Sequence, residues 1–208
     1  MRHNSILRSG LVAVAFALAS NAVGAQATTS NPSASSAWGG PHTIEGYYTH
    51  YRLDTSGDDR LGMHGLGGRL MWNGSLRFAG LESLPSRTAI GVFAEYAPSQ
   101  DRGFSIVHAG AQGDVRLASS PLFGRLTPIA SLAAGALWTD VQDASRAIAT
   151  GFPLGTRRTT TLAITPALGL RLGLWRELGL RADVRDVMTF RHRTLNNWQF
   201  ATGLSLAF

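Results

Sequence analysis

Residues 197–208, the last twelve of the chain, read Asn-Trp-Gln-Phe-Ala-Thr-Gly-Leu-Ser-Leu-Ala-Phe. Every second side chain is apolar or aromatic, with one threonine among them, and the side chains in between are small or polar. Such an alternation predicts a β-strand whose two faces meet different surroundings. The apolar face is formed by Trp198, Phe200, Leu204, Leu206 and Phe208.

The same alternation recurs upstream and predicts eight strands, at about 43–53, 61–73, 86–97, 103–118, 125–140, 159–174, 177–190 and 197–208. An even number of strands of about ten residues or more is typical of an antiparallel sheet closed into a barrel. The sequence does not decide which face of the first strand points inward, because Tyr47, Tyr48 and Tyr51 fall on both faces.

The low charge content decides which face of these strands points outward. Asp, Glu, Lys and Arg make up 15 % of the residues, against about a quarter in soluble domains. A soluble barrel would need abundant charge on its outer face, whereas a membrane barrel meets lipid there. We therefore predict an all-β fold, a closed, up-and-down, antiparallel transmembrane β-barrel with its apolar face toward lipid. No apolar run past residue 30 is long enough for a membrane-spanning helix.

The first 25 residues have the pattern of a signal peptide. Arg2 and Arg8 precede a short apolar run at 11–19, and small residues follow it. Cleavage is expected after Ala25 or Ala27. Residues 26–42 are then predicted to be a flexible N-terminal leader, and residues 43–208 the barrel.

The signal peptide, the alternating segments and the ending on Phe208 resemble small eight-stranded outer-membrane β-barrel proteins of the OmpA-like or OmpX-like kind. The resemblance covers 43–208 in pattern and is specific only in the last strand. It implies a location in the cell outer membrane, among lipid and lipopolysaccharide. It also implies that the barrel-assembly machinery recognises the last strand, through Trp198, Phe200, Leu204, Leu206 and Phe208. We expect a monomer. We expect no binding to nucleic acid, because the arginines are scattered along the chain.

A set of charged residues is predicted to face the lumen and to form ion pairs there: Glu45, Arg69, Glu95, Asp114, Arg116, Arg171, Arg181, Asp183 and Arg185. Charges inside a narrow barrel must be paired, because an unmatched buried charge costs several kcal/mol. We favour a packed polar core that specifies register; a gate with switchable pairs is the alternative. Eight strands leave an interior that side chains can fill, which argues against a general diffusion pore.

Candidate catalytic residues do not form a recognisable site. His108 shares its predicted strand with Asp114, but six residues separate them, about 20 Å along a strand. His192-Arg193-Thr194 resembles the His-x-Ser pair of lipid A deacylases but has Thr in place of Ser, and the sequence around Ser205 lacks a nucleophile elbow. We predict no catalysis and no cofactor; a lipid A-modifying enzyme and a narrow pore or small-ligand transporter are the alternatives.

Metal ligands are also sparse in the sequence. His42, His50, His64, His108 and His192 are dispersed, with no closely spaced pair, so no metal site is predicted. The acidic segment 54–59 is better explained as a hairpin turn than as a Ca²⁺ loop.

Several arginines are predicted to lie at the outer rim. Guanidinium groups bind phosphate bidentately, and the outer leaflet presents lipopolysaccharide phosphates. Solvated loop charge is the alternative explanation. The predicted lipopolysaccharide-contacting set is Arg157, Arg158, Arg191 and Arg193. The expected role is structural, in envelope integrity, or in surface interaction.

Overall fold

The structure, a computed structural model, describes residues 40–53, 61–73, 87–99, 103–118, 120–141, 158–190 and 194–208. Within them lie eight strands: β1 (His42–Leu53), β2 (Leu61–Asn73), β3 (Thr88–Ser99), β4 (Phe104–Arg116), β5 (Leu126–Val141), β6 (Arg158–Gly173), β7 (Leu178–Phe190) and β8 (Thr194–Ala207). None of the described residues belongs to a helix long and apolar enough to cross a membrane.

The strands form one closed antiparallel barrel in sequence order. Closure is made by β1 and β8, which pair from Thr43 opposite Ala207 to Arg52 opposite Trp198. At the end of this seam the backbones of His42 and Phe208 exchange two hydrogen bonds, of 3.1 and 3.0 Å. Closure leaves no strand edge unpaired, which lipid demands because it offers no hydrogen bonds to the backbone.

We call the end of the barrel that carries Pro41 and Phe208 the inner end, and the opposite end the outer end. At the inner end, Leu174 and Trp175 donate backbone hydrogen bonds to Leu178 O and form a tight turn between β6 and β7. A second inner turn follows β4 and contains Phe123, whose side chain is 98 % exposed. The outer connections, 54–60, 100–102, 142–157 and 191–193, lie outside the described residues, as does the inner connection 74–86.

The outward face of the strands is apolar. Large hydrophobic side chains project from it on strands around the barrel, among them Leu66, Val92, Val115, Leu132, Leu162, Leu168, Leu170, Leu180, Val184 and Leu204. A water-soluble protein rarely exposes so continuous an apolar surface, because each buried methylene contributes about 0.8 kcal/mol. The exterior is suited to lipid.

Aromatic and charged side chains mark the two ends of this apolar band. Trp138, Phe190 and Trp198 are exposed toward the outer end, and Trp175 and Phe208 toward the inner end. On the outward face of the described strands, the charged residues Arg52, Asp140 and Asp186 all lie near the outer end. Ten residue steps separate Trp198 from Phe208, about 33 Å along the strand and about 25 Å after a barrel tilt of about 40°. That height matches the hydrocarbon core that an outer-membrane barrel spans.

The inward-facing side chains form three layers. Near the outer end an apolar cluster packs around Tyr51, Met63, Phe104, Ile106, Leu137 and Val187. Near the inner end a smaller cluster contains Met71, Ala89 and Ile129. Polar and charged side chains occupy the space between. A polar core was predicted for the lumen, but at both of its ends apolar side chains pack on one another.

The predicted fold is confirmed. All eight strands were placed correctly, and the largest error is the start of β8, predicted at 197 and observed at Thr194. The open question about the first strand is also answered: Tyr47 and Tyr51 are buried in the lumen, and Tyr48 is exposed on the outer wall. The predicted signal peptide and most of the leader lie outside the described residues.

Candidate functional site

The candidate site is the charged middle layer of the lumen. Its ion pairs are shared by three arginines and four carboxylates, all of them buried: Arg69, Arg181, Arg185, Glu45, Glu95, Asp114 and Asp183. They come from β1, β2, β3, β4 and β7, because each occupies an inward position in the two-residue alternation of its strand. The structure thus brings together seven of the nine residues that the sequence assigned to the lumen.

Glu95 accepts hydrogen bonds from four side chains. Its Oε1 accepts from Arg185 and from the Tyr47 hydroxyl at 2.9 Å, and its Oε2 accepts from the Tyr51 hydroxyl and from Gln199 Nε2 at 2.6 Å. A carboxylate buried in this way keeps its charge, because one cation and three polar donors replace the water that it lost. Since Glu95 lies on β3 and Arg185 on β7, their ion pair joins opposite walls of the barrel.

Asp183 accepts hydrogen bonds from three guanidinium groups. Its Oδ2 lies 2.9 Å from Arg69 Nη2 and 3.1 Å from Arg185 Nη2, and its Oδ1 lies 2.8 Å from Arg181 Nε. Arg69 also donates to Glu45 on the neighbouring strand. Asp183 is therefore the carboxylate that links the arginines to one another, and their mutual repulsion would rise without it.

Arg181 extends the network toward β4 and β5. It donates through Nη1 to Asp114 and through Nη2 to Ser131 Oγ at 3.0 Å. Asp114 also accepts from Gln112 Nε2 at 2.7 Å. The planar fork of arginine suits this role, because it donates in several fixed directions at once.

Tyr47 lies at the centre of the network as its aromatic member. Guanidinium carbons of Arg69 and Arg185 lie 5.0 and 4.9 Å from the centroid of its ring, a cation–π distance. The ring fits because its neighbours across both strand pairs, Gly67 and Gly203, have no side chain. A Cβ at either glycine would lie 2.4 Å from an atom of Tyr47.

Substitutions at two glycines, Gly169 and Gly46, test how tightly the network is packed. Gly169 is opposite Asp183, and a Cβ added there would lie 2.0 Å from Asp183 Oδ1. We expect Gly169→Ala to lower the free energy of unfolding by about 1–3 kcal/mol, because the network must shift to admit the methyl group. Denaturant unfolding of the barrel in lipid vesicles, followed by tryptophan fluorescence, measures this loss.

Gly46 provides the control for that substitution. It occupies an outward position on β1, and a Cβ there would meet nothing within 4 Å. Gly46→Ala should therefore change the unfolding free energy by no more than about 0.5 kcal/mol. Equal effects at Gly46 and Gly169 would show that the network tolerates displacement.

The two remaining predicted lumen residues lie closer to the inner end. Arg116 is buried at the end of β4, and Arg171 is half-buried two residues before the end of β6. Arg171 is paired in register with Arg181 across β6 and β7. Neither residue is without an interaction partner.

Uncharged members of the network were not predicted from the sequence, among them Tyr47, Tyr51 and Gln199. All three donate to Glu95. Strand alternation could have found them, since Tyr47 and Tyr51 share the parity of Glu45 on β1, and Gln199 that of Ser205 on β8.

His108 does not form a catalytic group with the residues around it. Its Nδ1 lies 3.8 Å from Glu95 Oε2, and neither ring nitrogen has a hydrogen-bond partner in the described part of the chain. It packs edge-on against Phe93, with ring centroids 4.8 Å apart. A cavity of about 10 Å³ adjoins it, lined also by Ser131 and Thr165, which is room for about one water molecule. No described hydroxyl is activated by this histidine.

The predicted lipopolysaccharide-contacting rim remains a prediction. Arg157, Arg191 and Arg193 lie outside the described residues, and Arg158 is described only as the first residue of β6, paired in register with Asp140. His192 and the acidic segment 54–59 also lie outside them.

The proposed assembly signal occupies one face of β8. Trp198, Phe200, Leu204, Leu206 and Phe208 all point outward and are 43–54 % exposed. Recognition of this face by the assembly machinery remains a prediction. No cluster of three or more His, Asp or Glu side chains able to hold a metal is present in the described ranges.

Comparison with known proteins agrees with this architecture. No family model and no curated protein sequence matches the chain. Among solved structures, the chain is similar to neisserial surface protein A, with 10 % identity and a TM-score of 0.58 over 81 % of this chain and 97 % of that one. It also aligns with Ail, the attachment invasion locus protein of Yersinia pestis, at 10 % identity and a TM-score of 0.49, over 81 % and 99 % of the two chains. The chain has the fold of the small outer-membrane β-barrels, and this fold agrees with the location predicted from the sequence.

Proposed function

We propose that this protein is an integral outer-membrane barrel with a closed polar lumen and no catalytic activity. Its role would be structural, in the integrity of the envelope, or in surface interaction through the outer end. The observation that carries the proposal is the ion pair between Glu95 on β3 and Arg185 on β7, which crosses the lumen from wall to wall.

The other ion pairs of the lumen also support the proposal that the lumen is blocked. Arg69 and Arg181 also reach partners on other strands, so none of these three arginines can move aside without breaking at least two ion pairs. An unmatched charge in such a site costs several kcal/mol, which opposes spontaneous opening. The outer apolar cluster around Phe104 and Ile106 adds a second barrier to ions, because it offers them no polar ligand.

The proposal of no catalytic activity is supported by the hydrogen bonding of His108 and Glu95. A hydrolase needs a histidine hydrogen-bonded to a nucleophile and oriented by a carboxylate. His108 has no such nucleophile among the described residues, and Glu95 is occupied by four other donors. We further propose that the protein acts as a monomer among outer-membrane lipid and lipopolysaccharide, and that the assembly machinery inserts it through β8.

Planar-bilayer recording tests the closed lumen. The purified barrel should insert without producing stepwise currents, because a lumen closed by the charged layer would leave no continuous water path. A general diffusion porin added to the same bilayer serves as the positive control.

Regular current steps from the wild-type barrel would overturn the proposal in favour of a narrow pore. The same protein incubated with lipid A should leave the mass of that lipid unchanged. Loss or gain of an acyl chain would instead identify a lipid A-modifying enzyme.

A further inference from the structure

Two histidines face each other on the outer wall of the barrel. His50 on β1 and His64 on β2 are direct partners in the antiparallel register, and both have outward positions. Their ring centroids are 4.7 Å apart, and their Nδ1 atoms are 3.2 Å apart. The hydroxyl of Tyr48, on the same face, contacts Nδ1 of His64. Three groups capable of binding a metal therefore meet at one point of the surface.

The separation of the two nitrogens fits a shared metal ion. Bonds from imidazole nitrogen to Zn²⁺ are about 2.0–2.1 Å, so two of them at a tetrahedral angle place the nitrogens about 3.3 Å apart. The observed 3.2 Å between His50 Nδ1 and His64 Nδ1 is close to that value. The same atom of each ring faces its partner, and the Tyr48 hydroxyl, which also contacts His64 Nδ1, would give up that hydrogen bond when the metal binds.

The depth of the pair allows the remaining ligands to come from outside the protein. His50 is opposite Phe200 and two residues before Arg52, which is opposite Trp198. Exposed tryptophan and tyrosine rings favour the headgroup level of a membrane, where water and lipid oxygens are available. A metal held here would lie two residue steps, about 5 Å along the barrel axis, inside the level of Trp198 and within reach of water and lipid oxygens at the interface.

The local backbone leaves room for the ring of His50. Gly62, which is opposite Arg52 and diagonal to His50, has no side chain, and a Cβ there would lie 3.2 Å from His50 Cε1. The strand pair that carries the two histidines is continuous from His42 opposite Trp72 to Leu53 opposite Leu61. The histidines are thus placed by a paired sheet, which fixes their spacing better than a loop would.

The chemistry of the group selects the class of metal. Two neutral imidazoles and a phenol suit Cu²⁺, Ni²⁺ or Zn²⁺, whereas Ca²⁺ and Mg²⁺ prefer carboxylate and carbonyl oxygens. We propose that His50 and His64 bind one divalent transition-metal ion through their Nδ1 atoms, with Tyr48 beside it, near the outer end of the barrel wall. The ion would cross-link β1 and β2 next to their outer connection.

Calorimetric titration tests the site in the untagged barrel, in detergent micelles at neutral pH, with Cu²⁺ and then Zn²⁺. We expect one equivalent of metal to bind to the wild type, and affinity to fall at least tenfold in His64→Ala and in His50→Ala. His42→Ala is the matched control, because His42 lies at the inner end beside Phe208 and should leave the affinity unchanged.

A spectroscopic measurement separates ligation from indirect effects. The electron paramagnetic resonance spectrum of the Cu²⁺ form should show coupling to two nitrogens in the wild type and to one in His64→Ala. The heat-dependent gel mobility of each variant confirms that it is folded. Equal affinity in the wild type and His64→Ala, or binding that His42→Ala abolishes, would overturn the proposal.

Discussion

Replacing Glu95 by alanine should lower the free energy of unfolding by about 3–5 kcal/mol, a larger loss than we expect at any other single position. The substitution leaves the guanidinium of Arg185 facing an empty site in the lumen. It also removes the acceptor of the hydroxyls of Tyr47 and Tyr51. Each buried donor left without a partner costs about 1–3 kcal/mol. Unfolding in denaturant, followed by the fluorescence of the tryptophans in lipid vesicles, measures the loss.

Glu177→Ala is the control for this experiment. Glu177 is exposed in the turn between β6 and β7, so its removal should change the unfolding free energy by no more than about 0.5 kcal/mol. Glu95→Gln retains the shape and should cost less than Glu95→Ala. A loss at Glu95 no larger than that at Glu177 would mean that Glu95 does not hold the network.

A double substitution separates the ion pair from the rest of the network. Arg185→Ala alone should also destabilise, but Glu95→Ala combined with Arg185→Ala should cost less than the sum of the two single changes. Removing both partners leaves neither charge unmatched, so the penalty of the first change is partly reversed by the second. The large single-site loss therefore measures the cost of breaking the pair, and not what the pair adds to stability over an apolar core.

Most of the fold could be predicted from the sequence, because the alternation of residues within a single barrel strand shows which side chains share a face. In β8 the positions of Trp198, Phe200, Leu204 and Leu206 identify the lipid face without reference to any other strand. The shortage of charge then indicates which face points outward. The charged lumen residues follow from the same parity, which explains why the predicted set is brought together so well.

The partners within the lumen could not be predicted, because they depend on how the barrel closes. Glu95 and Arg185 are 90 residues apart and meet only when β3 and β7 face each other across the interior. Hydrogen bonds across a lumen depend on strand tilt and stagger, which alternation within a strand does not report. The meeting of His50 and His64 has a similar cause, since it requires the exact register of β1 and β2.

The apolar ends of the lumen were missed for a different reason. Met63, Phe104 and Ile106 have inward positions, yet they are as apolar as the lipid face. Near a strand end both faces can be apolar, because the interior there is filled by packing and not by ion pairs. The alternation of hydrophobicity is then lost, although the alternation of direction is kept.

Replacing Leu168 by arginine is the second large effect that we expect. Leu168 is 65 % exposed on the outward face of β6, about midway between Thr160, which is opposite Trp138, and Trp175. An arginine at the midplane of the bilayer costs a barrel about 2–4 kcal/mol, and the cost falls to about 0–1 kcal/mol near the interface. The loss should appear in unfolding from vesicles.

The most direct measurement of the orientation of the barrel faces compares this variant with Phe123→Arg in the same vesicles. Phe123 is also strongly exposed, but it lies in a turn at the inner end. If the apolar face meets lipid, Leu168→Arg should lower the unfolding free energy by at least about 2 kcal/mol more than Phe123→Arg does. Equal and small losses in the two variants would mean that Leu168 faces water, and would contradict a barrel whose outer wall is embedded in the membrane.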